Sequence, residues 1–209
     1  MLNAMNTPTI RRRHFLGTLA ALALYPALAA CSQDTEPLPF EGNDITGSGL
    51  GQDLAMPDTQ GRMRTLADFK GKVLLVFFGY TQCPDVCPTA MLEISQAMEL
   101  LGEQADHVQV VMVSVDPARD TPEILQAYVE LFDPRFMGLT GTPEQLDKTA
   151  RSFKAFYAKE PGPTPNHYAM NHSAAFYLLD QNGQARALLG PSLTPEDMAH
   201  DIRLLLEPA

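Results

Sequence analysis

Basic residues are scarce in this chain, and cysteines scarcer. The 209 residues hold 15 Lys and Arg against 25 Asp and Glu, a formal net charge of −10. Nucleic-acid backbones are bound through clustered Lys and Arg, so this balance argues against a nucleic-acid partner and suits a solvated acidic surface. Three cysteines are too few to close a four-thiolate structural zinc site. No internal repeat is present. A long membrane-spanning run is missing too: the most apolar stretch near the start, Phe15 to Ala30, is short for a span and is interrupted by Pro26.

What the start of the chain does carry is an address. Arg11-Arg12-Arg13-His14-Phe15-Leu16 precedes the apolar stretch, and Leu28-Ala29-Ala30-Cys31 closes it. A basic region, a short apolar region and small residues before a cut site describe an export signal over residues 1–30. The arginines resemble a bacterial twin-arginine signal. Leu28 to Cys31 resembles a lipobox, whose cysteine becomes a lipidated N-terminus. Cleavage after Ala30 without lipid, or an uncleaved anchor helix, remain the alternatives. Each of these readings puts the protein in the bacterial cell envelope, held to the membrane by its N-terminal lipid or anchor and facing the periplasm. Residues 31–53, rich in Gly, Pro and acidic side chains, read as a flexible tether. Residues 54–209 are long enough for one domain with a full apolar core.

Within that domain, Leu54 to Thr65 reads as a hairpin and Leu66 to Lys72 as a helical turn ended by Gly71. Val73–Phe78 and Val108–Val115 are apolar, β-branched runs without polar alternation, the pattern of strands covered on both faces. Helices are expected from the cysteine turn to about Leu101, from Pro122 to about Phe132 with Thr121 as N-cap, and from Pro143 to about Tyr157. A short extended piece covers Phe136 to Leu139. Pro161 to Asn171 yields no regular element. Ala174–Asp180 and Gln184–Leu189 form a hairpin around Gln181-Asn182-Gly183, and a helix from Thr194 to about Glu207 ends the chain. This order of elements resembles an α/β thioredoxin-like domain with an N-terminal β-hairpin extension and an inserted helix.

The chemistry concentrates in Gly79 to Met91, GYTQCPDVCPTAM, between the first central strand and a helix. Cys83 and Cys87 lie four residues apart there, close enough to share a metal ion or close a disulfide. A helix N-terminus stabilises a thiolate through its dipole and unpaired N–H groups, while the carboxylate of Asp85 opposes a second negative charge until a cation arrives. Two thiolates favour soft metals, Cu(I) above all, with zinc possible. A third ligand can come from histidine. His107 and His200 read as solvated surface residues and His167 as a weaker candidate. His172 is favoured because the residue before the Ala174 strand faces the cysteine turn in thioredoxin-like folds. Exchangers of that fold carry a C-x-x-C turn and a cis-proline, whereas this chain has three residues between its cysteines and His172-Ser173 at the junction.

Three segments together resemble the Sco/SenC family of copper-delivery proteins: Cys83-Pro84-Asp85-Val86-Cys87-Pro88, Ser114-Val115-Asp116-Pro117-Ala118-Arg119-Asp120-Thr121-Pro122, and Asn171-His172-Ser173 followed by Tyr177-Leu178. The resemblance implies copper held by Cys83, Cys87 and His172, with Asp116 as a nearby carboxylate influencing the site. It also implies a redox disulfide between Cys83 and Cys87. As partners it implies the copper-bearing subunit of cytochrome c oxidase and other periplasmic copper carriers. Asn171 stands where many relatives carry Asp, which alters affinity if that side chain contacts the imidazole. Of the methionines, Met170 is the one beside the expected site. A thiol-disulfide oxidoreductase that reduces the acceptor's cysteines is the alternative to a chaperone; a peroxidase of peroxiredoxin type ranks below both.

Overall fold

The computed structural model describes residues 38–164 and 167–207. The chain runs β1 (Asn43–Asp44), β2 (Ala55–Pro57), β3 (Met63–Thr65), β4 (Val73–Gly79), α1 (Val86–Leu101), β5 (Val108–Ser114), α2 (Pro122–Glu130), β6 (Met137–Leu139) and α3 (Pro143–Phe153). It continues through β7 (Tyr157–Thr164), β8 (His167–His172), β9 (Phe176–Leu179) and β10 (Ala185–Leu189) to α4 (Pro195–Leu206). Short 3₁₀ turns cover Leu66–Phe69 and Gly102–His107.

The two apolar runs form the middle of a sheet ordered β1-β10-β9-β4-β5-β6. β4 lies parallel to β5 and antiparallel to β9, so every residue of β4 is buried. That is why the sequence shows no polar alternation there. Phe77 stacks on Phe176 with ring centroids 4.8 Å apart, and Phe78 meets Phe153 and Tyr177 edge-on. Burying an aromatic side chain of this kind stabilises the fold by about 1.5–3 kcal/mol. Helix α4 packs on α1 and on β4. The thioredoxin-like α/β architecture read from the sequence is the one found, with the β2–β3 hairpin in front of it. Asp58, 3% exposed, fixes the turn of that hairpin by accepting from the Gln60 and Arg62 N–H groups and from the Arg62 and Arg64 guanidinium groups.

Helix starts follow the sequence closely. Thr121, Thr142 and Thr194 each accept a backbone N–H from the first turn, and each is followed by proline at the first helical position. Three expectations need correction. Helix α3 ends at Phe153, not near Tyr157, because Lys154 turns left-handed (φ 52°) and closes it.

The described residues of Pro161–Asn171 do form regular elements: β7 and β8 pair into a separate two-stranded sheet, with a register shift between Pro161 and Thr164. Prolines fit there because each strand of such a pair has a free edge that needs no ladder donor. Residues 38–53 do not form a tether either. β1 adds to β10, and the N–H groups of Glu41 and Gly42 each donate to the fully buried carboxylate of Asp201 at 2.9 Å. Leu38, Phe40, Ile45 and Leu50 pack against the core at irregular spacing, which hid them from a periodicity argument. The expected export signal and Cys31 lie outside the described residues.

Candidate metal centre

Strand β4 ends at Gly79, and the chain then turns through Tyr80–Asp85 into α1, whose N-cap is Asp85. Gly79 is a packing requirement: a Cβ there would lie 2.6 Å from the Phe77 ring and 3.2 Å from Cys87 Sγ. Cys83 sits in the turn, half-buried, and Cys87 is the second residue of the helix, buried. The Cys87 N–H points at Cys83 Sγ, 3.4 Å away. The two sulfurs are free thiols that share one helix start.

Their surroundings set them apart. Partial burial pushes the Cys83 thiol up, but the N–H groups of Cys87, Asp85 and Val86 outweigh it and lower it on balance. Burial pushes the Cys87 thiol strongly up, and the charges of Cys83 and Asp120 add to it. Only Cys83 therefore enjoys the helix-start stabilisation expected of both. The opposing carboxylate is Asp120 rather than exposed Asp85. Asp120 is fully buried and accepts from Ser114 Oγ at 2.6 Å and Thr81 Oγ1 at 2.7 Å. The same residue appears in the D-P-A-R-D segment, but nothing local marks it, rather than Asp116, as the acid that meets the cysteine turn.

His172 is the last residue of β8, and the hairpin brings it to the sulfurs. Its Nε2 lies 3.3 Å from Cys87 Sγ, and its Nδ1 lies 3.0 Å from the Ser173 carbonyl. A carbonyl only accepts, so Nδ1 carries the proton and Nε2 presents its lone pair to Cys87. Phe77 and Tyr80 meet the imidazole edge-on, with centroids 5.9 Å and 5.8 Å away, and hold its plane. Tyr80 lies within the Gly79–Met91 stretch, but nothing in the sequence assigns it or Phe77 a contact with the histidine. The ligand atoms of Cys83, Cys87 and His172 all lie within 4.8 Å of one another. Two soft sulfurs and one imidazole nitrogen at that separation fit a thiophilic ion.

The remaining candidates lie elsewhere. Asp116 is 3% exposed, and its carboxylate accepts from Arg119 Nε and from Tyr168 OH, not from the groups that face the sulfurs. Asn171 is exposed on the opposite face of β8 from His172, so the imidazole takes its Nδ1 partner from Ser173 instead. His107 and His200 are exposed, the latter paired with Asp201 at 3.1 Å, and His167 opens β8. Met170 packs partly against the core and lines a cavity of about 390 Å³ beneath the hairpin. No described helix is long and apolar enough to cross a membrane.

Comparison with known proteins agrees with this geometry. A family model described as SCO1/SenC matches residues 43–207. A SCO2-like protein of Rickettsia felis is 36% identical over 136 residues, 65% of this chain and 66% of that protein, so the chain spans just under two thirds of that relative. Protein SenC of Rhodobacter capsulatus is 33% identical over 197 residues, 92% of this chain and 85% of its own length. Among solved structures, Bradyrhizobium japonicum ScoI with copper bound superposes with a TM-score of 0.68 at 36% identity, covering 78% of this chain and 98% of that one. With a thioredoxin-like sheet, a C-x-x-x-C turn at a helix start and a histidine delivered by a separate hairpin, the chain belongs to the SCO1/SenC family.

Proposed function

We propose that this protein is a copper metallochaperone that delivers copper to the binuclear copper centre of cytochrome c oxidase. One observation carries the reading: two sulfurs from one turn and one imidazole nitrogen from a remote hairpin converge within 4.8 Å. Copper is cargo here. Loading displaces protons from the thiols, and the strongly raised Cys87 thiol keeps its proton until a cation takes its place. The proton fixed on Nδ1 leaves Nε2 available as a donor without rearrangement. Cys83 is half-buried at the rim of the site, so an acceptor's ligands can replace it first. The likeness to a ScoI solved with copper bound supports the choice of metal.

The copper-bearing subunit of cytochrome c oxidase and other periplasmic copper carriers are the partners this reading requires. Cys31 is the proposed lipid attachment site, with the residues between it and Leu38 as the link to the membrane and the body facing the periplasm. A second reading is favoured by the contrast between the two thiols. The Cys83 thiolate attacks a disulfide of the acceptor, and Cys87 then resolves the mixed disulfide. The products are a Cys83–Cys87 bond and two reduced acceptor thiols.

Competition against a Cu(I) chelator tests the first reading. His172→Ala is expected to weaken copper binding strongly while the Cys83–Cys87 disulfide still forms. Cys83→Ala and Cys87→Ala are each expected to abolish the site. Equal copper retention by wild type and His172→Ala would contradict it.

A further inference from the structure

The hairpin that carries His172 is not part of the main sheet: among the described residues, β7 and β8 pair as strands with each other and with no other strand. A two-stranded hairpin is marginal on its own in water, so its placement depends on a few contacts with the rest of the domain. At its base the hairpin's two ends are tied to each other, Ser173 N–H donating to the Phe156 carbonyl at 3.0 Å and Phe156 N–H to Ser173 Oγ at 2.9 Å, and Tyr157 OH donates to the Asp147 carboxylate of α3. Farther along, the contacts converge on Arg119.

Arg119 Nε donates to Asp116 Oδ2, and Nη1 donates to Gln82 Oε1 at 3.2 Å and to the Tyr168 carbonyl at 2.9 Å. Its guanidinium carbon lies 3.6 Å from the centroid of the Tyr168 ring and 5.6 Å from that of Tyr80. Lys159 Nζ lies 3.7 Å from the same Tyr168 ring, and Tyr168 OH donates to Asp116 Oδ1 at 2.8 Å. One guanidinium thus spans the cysteine turn, through Tyr80 and Gln82, and the hairpin, through Tyr168. Lysine has neither the planar fork nor the stacking surface to make this set of contacts.

The pleat of β8 converts that grip into an aim. Tyr168, Met170 and His172 alternate with exposed residues and occupy one face. Fixing the rotation of the strand at Tyr168 therefore fixes the direction of His172, four residues or about 13 Å further along. We infer that Arg119 is a positioning residue of the metal site: clamped on Tyr168, it holds β8 so that the imidazole stays over Cys83 and Cys87. The inference rests on the proposed copper site but adds a residue that supplies no ligand.

The test is a double-mutant cycle in the full chain, read by Cu(I) competition and by amide hydrogen exchange of the apo protein. Arg119→Lys and Tyr168→Ala are each expected to weaken Cu(I) binding roughly tenfold when His172 is present. In the His172→Ala background the same changes are expected to cost less than about twofold, because their route to the metal is gone. Exchange should quicken at the amides of 157–164 and 167–172 while the β4 and β5 amides stay protected. Tyr168→Phe, which keeps the ring, should stay nearer to wild type than Tyr168→Ala. Equal losses in both backgrounds, or unchanged exchange in the hairpin, would overturn the inference. Should His172→Ala alone leave copper affinity intact, the proposed site fails, and hairpin exchange alone decides the clamp: faster exchange supports it and unchanged exchange refutes it.

Discussion

Gly79→Ala is a one-carbon change at the point where the sheet meets the cysteine turn. The added Cβ would sit 2.6 Å from Phe77 Cε1, 3.1 Å from Met112 Cε and 3.2 Å from Cys87 Sγ. Phe77 and Met112 are fully buried, so neither can move aside freely. Overpacking of this kind costs about 1–3 kcal/mol, and at about 2–4 °C per kcal/mol for a domain of this size the midpoint should fall by about 2–12 °C. Any relief has to displace groups around the added Cβ, and two of these, Cys87 and the Phe77 ring, border the metal site, so Cu(I) affinity should fall by roughly tenfold as well. Gly190→Ala is the control, because a Cβ there meets nothing within 4 Å and its backbone is not left-handed. Thermal melts and chelator competition on both variants give the answer. A Gly79→Ala protein that melts and binds copper like Gly190→Ala would refute the reasoning.

Burial pushes the Cys87 thiol up, so the folded state binds that proton more tightly than the unfolded chain. The resulting stability is complete below the ordinary thiol value of about 8.5 and is lost as pH rises towards the raised one. Reduced apo protein should therefore show a falling urea midpoint above about pH 8.5, more steeply than Cys87→Ala; parallel curves would count against a buried protonated thiol. Because Cys83 is lowered and half-exposed, limiting iodoacetamide should label Cys83 well before Cys87 in peptide mass spectra. Equal labelling would remove the contrast on which the thiol-exchange reading depends. Asp201→Ala strips the acceptor from the Glu41 and Gly42 N–H groups, with an expected cost of about 1–3 kcal/mol. Limited proteolysis should then cut within residues 38–53; resistance equal to wild type would mean that β1 pairing alone holds the segment.

Much of the frame was legible because it is written locally. The buried runs at β4 and β5, the Thr-Pro helix starts and the Gln181-Asn182-Gly183 turn each carry their cause within a few residues. The convergence of Cys83, Cys87 and His172 was legible in the same sense: two cysteines at a helix start, and a histidine where the fold returns to them. The parts that escaped depend on distant partners. Pro161 and Pro163 signalled irregularity, and the register does shift between Pro161 and Thr164, yet β7 still pairs with β8, and the alternation of Tyr168, Met170 and His172 was there to be read. Residues 38–53 looked like a tether until β10 and Asp201 supplied partners for their backbone. Asp116 and Asp120 lie four residues apart and look interchangeable in sequence. Only packing sends the first to Arg119 and Tyr168 and buries the second beneath the cysteine turn.

The most direct test is X-ray absorption at the copper edge on protein loaded with one equivalent of Cu(I) under reducing conditions, with His172→Ala alongside. The account predicts two sulfur scatterers and one imidazole nitrogen around each copper in the wild type, and loss of the nitrogen with both sulfurs retained in the variant. An unchanged spectrum in His172→Ala, or a wild-type copper bound by sulfur alone, would contradict it.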